Sequence, residues 1–411
     1  MNNQTDNIAQ ENKLQECNFN CFQGAEDLLR NIDNKDKKEK IKAILFDLFN
    51  IKNINFLFGA GTSNGAIPTM KELRECVIGE LDNKEKELFD KNDKQNLEKT
   101  LEILYSGKAY FENNPQGKDN IEFNTLKNLI EKIEKTIFQA INIEIGINCE
   151  NDTQKEVFKN YEKFYKKVTY RNKDLNRVNV FTTNNDLFNE YVLDYLNIDY
   201  NNGFGGGLKR SFNPARFEYV FAKKMDEGIE KYEPLNHMIY LYKLHGSINW
   251  VEDQNHNSFF DIEEIYLKPK EQKLEKTCLI YPTPLKEGKS LTSPYTDIIR
   301  EFQKKLSLSN SVLFIIGYSF SDEHINTIIY RALASNNSLS VVVFADKDKL
   351  TRIPLFSIND KRIYVIYGKD EDKTIHYFNY FVDELIPEHK QDKEDENYKK
   401  FVSAFKEAKG G

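Results

Sequence analysis

The chain carries a series of short apolar runs, and the first of them end in strings of small or polar residues. Ile54-Asn55-Phe56-Leu57-Phe58 runs into Gly59-Ala60-Gly61-Thr62-Ser63. Val178-Asn179-Val180-Phe181 runs into Thr182-Thr183-Asn184-Asn185-Asp186, and Met238-Ile239-Tyr240-Leu241-Tyr242 is soon followed by Leu244-His245-Gly246-Ser247. A later one, Val312 to Ile316, gives way to Gly317-Tyr318-Ser319-Phe320-Ser321-Asp322. Further strand-like runs follow at Leu339 to Phe344 and Ile363 to Tyr367. Between them lie helical patterns, one from Pro294 (with Ser293 as its N-cap) through Ile298, Ile299, Phe302 and Leu306, another carrying Ile325, Ile328, Ile329 and Leu333. Strands alternating with helices predict an α/β fold, a Rossmann-like doubly wound and mostly parallel sheet. In such sheets ligands bind where the strands run out, which is where these strings fall.

The organisation along the chain follows from the same patterns. Residues 1–23 are rich in Asn and Gln and read as a mobile arm. Residues 24–68 and 170–386 read as the sheet domain. Residues 69–169 show helical spacing at Leu126, Leu129, Ile130, Ile133, Ile137 and Ile141, and again at Val157, Phe158, Tyr161, Phe164 and Tyr165, with almost no strand signal. They read as an all-helical insertion. Residues 387–411 form a charged tail with a small apolar patch at Phe401, Val402 and Phe405.

With 39% hydrophobic and 13% aromatic residues the chain has ample material for a core. Its net charge of −7, from 58 basic and 65 acidic residues, argues against a broad nucleic-acid-binding face. Cys17, Cys21, Cys76, Cys149 and Cys278 are scattered, without a Cys-x-x-Cys pair, so neither a zinc ribbon nor a disulfide framework is supported. No stretch approaches the roughly 20 apolar residues of a membrane span, and the start of the chain lacks an apolar signal core. A cytoplasmic protein with reduced thiols is expected.

Each strand-end string has a plain reading and a chemical one. Gly59 and Gly61 let the backbone turn tightly beside a pyrophosphate to which Thr62 and Ser63 can donate, or they simply make a strand-to-helix turn. Asn184 and Asp186 are ligand-facing side chains, or turn caps of the kind Asn and Asp favour. His245 is a half-buried histidine, or a general base whose imidazole titrates near neutrality. Ser321 or Asp322 is an N-cap, and a helix N-terminus also binds phosphate and ribose oxygens. The glycine-rich segment 203–207 is a lid or an ordinary loop, and loop is the simpler reading.

Taken in order, Gly-Ala-Gly-Thr-Ser, Ile67-Pro68, Thr-Thr-Asn-Asn-Asp, Leu-His-Gly-Ser and Gly-Tyr-Ser resemble the sirtuin (silent information regulator) family. That family has Gly-Ala-Gly-x-Ser with Ile-Pro-Asp-Phe-Arg downstream, then Thr-Gln-Asn-x-Asp, His-Gly and Gly-Thr-Ser. The resemblance implies Asn184 and His245 as the catalytic pair and Asp186 as the contact to the nicotinamide amide. It implies a dinucleotide surrounded by Gly59, Ala60, Gly61, Thr62, Ser63, Thr183, Gly317 and Ser319, with Asp346 at the end of the next strand. Two departures stand out. Thr69-Met70-Lys71 replaces Asp-Phe-Arg, and the four-cysteine zinc module of the protein-deacylating members is absent.

The end segment, from Pro294-Tyr295 to the run Ile316 to Ile325, looks like the sirtuin-like proteins of bacterial anti-phage systems, which consume NAD outright. The resemblance therefore implies an NAD hydrolase that yields nicotinamide and ADP-ribose, uses NAD as substrate and needs no metal. It further implies a homo-oligomer gated by a partner, a HerA-type ring ATPase before an Argonaute-like protein. The competing readings are an NAD-dependent protein deacylase or ADP-ribosyltransferase, and a nucleotide-sensing subunit without turnover.

Overall fold

The structure is a computed structural model that describes residues 18–387, apart from 91–96, 115–120, 170, 173, 226–230, 254–259 and 272–292. The run Asn53–Phe58 is buried at every position, as a strand covered on both faces must be. It is the second long strand of the main sheet: β1 (Asn18–Gln23), β2 (Asn53–Phe58), β3 (Val178–Thr182), β4 (Ile239–Lys243), β5 (Ser311–Ile316), β6 (Leu339–Ala345) and β7 (Ile363–Asp370). The spatial order is β1-β7-β6-β5-β2-β3-β4, with two-residue strands at Glu26–Asp27 and Tyr200–Asn201 beyond the two ends. All neighbours from β7 to β4 pair in parallel, and of these seven strands only β1 runs against its partner. The chain winds outward from β2 to β3 and β4, then returns to the other side of β2 for β5, β6 and β7. That is the doubly wound order with its switch point between β2 and β5. The fold class expected from the sequence is the one found.

The helices are α1 (Asn34–Phe49), α2 (Met70–Glu80), α3 (Asn83–Asp90), α4 (Leu97–Asn113), α5 (Ile121–Ile141), α6 (Asp152–Thr169), α7 (Phe188–Tyr195), α8 (Tyr295–Leu306) and α9 (Glu323–Ser335). Alternate residues of each strand face opposite layers. Ile54, Phe56 and Phe58 join a core with Ile41, Leu45 and Phe49 of α1 and Phe164 of α6. Leu57, Phe181, Leu313 and Ile315 join a second core with Ile298 and Phe302 of α8 and Ile325 of α9. Ring centroids of Phe56 and Phe164 lie 5.0 Å apart on one face, and those of Phe181 and Phe302 lie 4.6 Å apart on the other. Each such fully buried aromatic contributes roughly 1.5–3 kcal/mol of burial.

Between β2 and β3 the structure holds α2 to α6. The first of these helices begins with a capping box in which Glu72 N donates to Thr69 Oγ1 and Thr69 N donates to Glu72 Oε2. Thr69 thus has a local reason to stand where the family has aspartate: it starts a helix. The last helix, α6, is part of the layer that covers the sheet, through Tyr161, Phe164 and Tyr165, which are fully buried. Four short strands, Phe204–Gly205, Arg210–Phe212, Trp250–Glu252 and Ile262–Glu264, form a separate antiparallel sheet. Two residues of the glycine segment 203–207 therefore lie in a hairpin strand, and Gly206, at φ 129°, makes the turn after it.

Two expectations need correction. The arm predicted over residues 1–23 does not extend to residue 23, because Asn18–Gln23 pairs along its whole length with β7. Phe19 and Cys21 are buried on one face of that strand, and burial pushes the Cys21 thiol up to about 12, which makes it a core group and not a nucleophile. The N-cap of α8 is Pro294, with no side-chain cap bond, in place of Ser293. Residues 1–17 and the tail patch at Phe401, Val402 and Phe405 lie outside the described residues.

Candidate active site

Register is what assembles the site. Phe58 sits beside both Ile316 and Thr182, and Thr182 sits beside Lys243. Four adjacent strands therefore run out at one level, and the strings that follow them meet above the switch point. Gly61 N donates to Gly317 O at 2.9 Å, and Gly59 N donates to Ile316 O at 3.1 Å. A Cβ on Gly59 would lie 2.5 Å from Gly317 O, and one on Gly317 would lie 2.7 Å from Thr62 N. Gly317 also takes φ 65°, a left-handed conformation. Glycine is required at both positions for the two turns to touch.

A buried polar network lies beneath this crevice. Asn184 Nδ2 donates to Thr62 Oγ1 at 3.1 Å and to Ser63 Oγ at 3.3 Å, and Thr62 Oγ1 also bonds Gly59 O at 2.9 Å. The Tyr161 hydroxyl lies 2.7 Å from Thr62 Oγ1 and 3.1 Å from Ser63 Oγ, while its ring stacks on Phe188 at 5.6 Å. Burial, and then the nearby Asp186 charge, push the Tyr161 hydroxyl far up, so it stays protonated. Ser63 Oγ donates to Asp186 Oδ2 at 2.9 Å, and the Phe188 amide donates to Asp186 Oδ1 at 3.1 Å. Burial raises Asp186; Lys243, the Phe188 amide and the Ser63 hydroxyl oppose it.

The family pattern expects a ligand contact from Asp186. In the structure it is 2% exposed, its Oδ2 accepting from Ser63 and its Oδ1 from the Phe188 amide at the beginning of α7. The Ser63 side chain is likewise buried. Asn184 is 7% exposed. Of the predicted site residues, Ala60, Gly61, Thr183, His245, Gly317, Ser319 and Asp346 are partly or fully exposed. Ser319 Oγ lies 2.9 Å from Ser321 Oγ. Asp346, at the end of β6, accepts from the Asp348 amide at 3.1 Å and pairs with Lys349 at 3.2 Å. Its carboxylate thus serves the turn that follows it.

His245 is joined to the Asn184 loop through its backbone. Asn185 Nδ2 donates to His245 O at 2.8 Å and to Gly246 O at 3.1 Å, and Leu244 N donates to Thr182 O at 2.9 Å. His245 Nε2 lies 2.9 Å from Asp322 Oδ2. Below it, the Lys243 ammonium is almost fully buried, 2.9 Å from Glu190 Oε1 and 2.9 Å from Ser247 Oγ, and also bonded to Asp186 O. Sequence reasoning missed Tyr161, Asn185, Glu190 and Lys243. Tyr161 was absorbed into a helical apolar stripe, and Lys243 breaks an apolar strand just where a chain-end charge would also be found. Among the described residues no three His, Cys, Asp or Glu side chains are gathered as a metal site, and no helix is long and apolar enough to cross a membrane.

Residues 178–366 match the SIR2-like domain family. That SIR2-like segment begins with β3 and ends inside β7, so it takes in the Asn184, His245 and Gly317 strings, while the Gly59 string precedes it. Similar solved structures are a Sir2 homologue–NAD complex, at 14% identity with a TM-score of 0.41, covering 84% of this chain and 92% of that one. Another is described as concerning the mechanism and regulation of Sir2 enzymes, at 12% identity with a TM-score of 0.38, covering 84% and 97%. No curated protein matches the chain.

The Tyr161 bonds yield a direct test. Tyr161→Phe keeps the stack on Phe188 and removes the hydroxyl between Thr62 and Ser63. We expect a loss of about 1–3 kcal/mol, the usual cost of leaving buried polar partners short of a bond. Paired denaturation curves check this, and equal stability of the two proteins would show that the hydroxyl contributes nothing net.

Proposed function

We propose that this chain hydrolyses NAD to nicotinamide and ADP-ribose. The observation that carries the reading is the placement of Asn184 and His245 on adjoining strand ends, bound to one another's loops at the switch-point crevice. The SIR2-like match of residues 178–366 supports NAD as the substrate.

The chemistry asks for little beyond what the residues offer. Breaking the bond to nicotinamide develops an oxocarbenium-like centre at the anomeric carbon, and nicotinamide leaves as a neutral molecule. Water adds to that carbon and gives up one proton. Asn184 orients the reacting groups, its own amide fixed by Thr62 and Ser63. His245 takes a proton from the ribose hydroxyl or from the attacking water. Gly59, Gly61 and Gly317 let two backbone turns meet at the crevice, and partly exposed backbone at Gly61 and Gly317 is the form of surface a pyrophosphate can approach.

The reading extends to a role in bacterial anti-phage defence by NAD depletion, in a homo-oligomer gated by a HerA-type ring ATPase or an Argonaute-like protein. The motif resemblance of residues 316–325 supports that extension. The test is incubation of the purified protein with NAD, with and without such partners, followed by product identification. Equimolar nicotinamide and ADP-ribose are expected. Nicotinamide released only when an acylated peptide is present would replace this reading with a deacylase.

A further inference from the structure

The loops that carry Asn184 and His245 hold one another by side chains once the sheet between them has ended. Leu244 N, donating to Thr182 O at 2.9 Å, closes the ladder of β3 and β4. From the Asn184 loop, Asn185 Nδ2 donates to His245 O at 2.8 Å and to Gly246 O at 3.1 Å. Two carbonyls can be served only by the NH2 end of that amide, which settles its orientation and takes up both its protons. From the end of β4, Lys243 Nζ reaches back to Asp186 O and lies 3.5 Å from Asn185 O. It also donates to Ser247 Oγ at 2.9 Å, and Ile248 N donates to Asn185 O at 3.1 Å. Each loop thus has a side chain fastened to the other loop's backbone. Asn184 has a separate tie, through Thr62 and Ser63, to the turn after β2.

We propose that Asn185 and Lys243 are the positioning residues of the catalytic pair, a reciprocal clasp that sets where His245 stands relative to Asn184. This rests on the NAD-hydrolase reading for its kinetic consequence but not for its structural one. Neighbouring strands are held about 4.8 Å apart by their ladder, and loops beyond the ladder lose that constraint. With Asn184 tied to the β2 side, loss of the clasp displaces the backbone that carries His245. A shift of about 1 Å in a reacting group can cost about 10²-fold in rate. The glycine turns at the rim follow β2 and β5 and make their own bonds to each other. The clasp lies outside them, so it governs chemistry more than substrate binding. Asn185 and Lys243 act through the loops they hold and not on the substrate.

The full chain is tested with Asn185→Ala and Asn185→Asp, the second keeping the side chain's shape while an oxygen replaces the donating nitrogen. Amide hydrogen exchange reads the clasp without any substrate. Ile248 N–H should exchange about tenfold faster in both variants, the weight of about one lost bond. Leu244 N–H and the amides within β3 and β4 should keep their rates. In NAD turnover kcat should fall about 10²-fold with KM little changed. The double variant Lys243→Met with Glu190→Leu removes the other half of the clasp without leaving a buried carboxylate unpaired. Asp186 O and Ser247 Oγ still lack their donor there, so kcat should stay low even where folding recovers. Wild-type kcat in either Asn185 variant or in the double variant overturns the proposal. So does a loss that falls wholly on KM, an unchanged Ile248 rate, or an equal acceleration at Ile248, at Leu244 and within the strands. If the natural chain releases no nicotinamide from NAD, the hydrolase reading fails by itself, and the exchange rates still decide whether the clasp holds the loops.

Discussion

Asn184→Ala and His245→Ala are each expected to abolish NAD cleavage in a chain that remains folded. Loss of a positioned general base alone costs about 10²–10⁴ in rate, and loss of the group that orients the reactants compounds it. The folded state is insulated from both changes. Without the Asn184 amide, Thr62 still bonds Gly59 O and the Tyr161 hydroxyl, and Ser63 still donates to Asp186. Without the His245 ring, Asp322 keeps the amides of His324 and Ile325. Asn185 continues to hold the backbone at position 245, because it bonds carbonyl oxygens and not the ring. The measurement is NAD turnover beside a melting profile for each variant. Near-wild-type turnover in either variant, with a normal melt, would remove the proposed mechanism.

What could be read from the sequence follows the strength of its local signals. The long parallel strands announce themselves because both faces are buried, which makes Phe56-Leu57-Phe58 or Val341-Val342-Val343 nearly continuous apolar runs. The glycines at 59, 61 and 317 mark the switch point because only glycine permits that approach. β1 was hidden by its asparagines and glutamine, although Phe19 and Cys21 alternate as a half-buried edge strand requires. The short antiparallel strands from Phe204 to Glu264 are two or three residues long, too brief for periodicity to register. The site itself was legible as positions and less so as roles. A motif can place Asp186 at a strand end, but only coordinates reveal that Ser63 and the Phe188 amide use both its oxygens. Pairings across long stretches of chain, such as His245 with Asp322 or Tyr161 with Thr62, depend on the register of separate strands, and no local pattern encodes them.

The largest effect on stability is expected at Lys243. Its side chain is 1% exposed and its ammonium lies 2.9 Å from the Glu190 carboxylate, itself only 8% exposed. Lys243→Met removes the cation and leaves that carboxylate with no opposing charge in the apolar layer, where breaking a buried pair costs about 3–5 kcal/mol. Removing both partners is far milder, because two charges no longer need to leave water. The double variant Lys243→Met with Glu190→Leu should therefore recover much of the loss, though Ser247 and the Asp186 carbonyl still lack their donor. The pH dependence has a definite sign. Burial already pushes Glu190 above its ordinary value of 4.5, with Lys243 opposing that shift. In Lys243→Met the opposition is gone, so the folded chain keeps a proton on Glu190 that the unfolded chain releases. A carboxyl raised in the folded state favours folding at low pH and loses that advantage as pH rises. The deficit of Lys243→Met should accordingly be smaller near pH 5 and grow toward pH 8, and the double variant should keep only the part of that slope that comes from Asp186, which Lys243 also opposes. Denaturation curves for the four proteins of the cycle, at both pH values, measure this. Equal losses in the single and double variants, or a deficit that shrinks with rising pH, would show that the pair does not act as a buried ion pair.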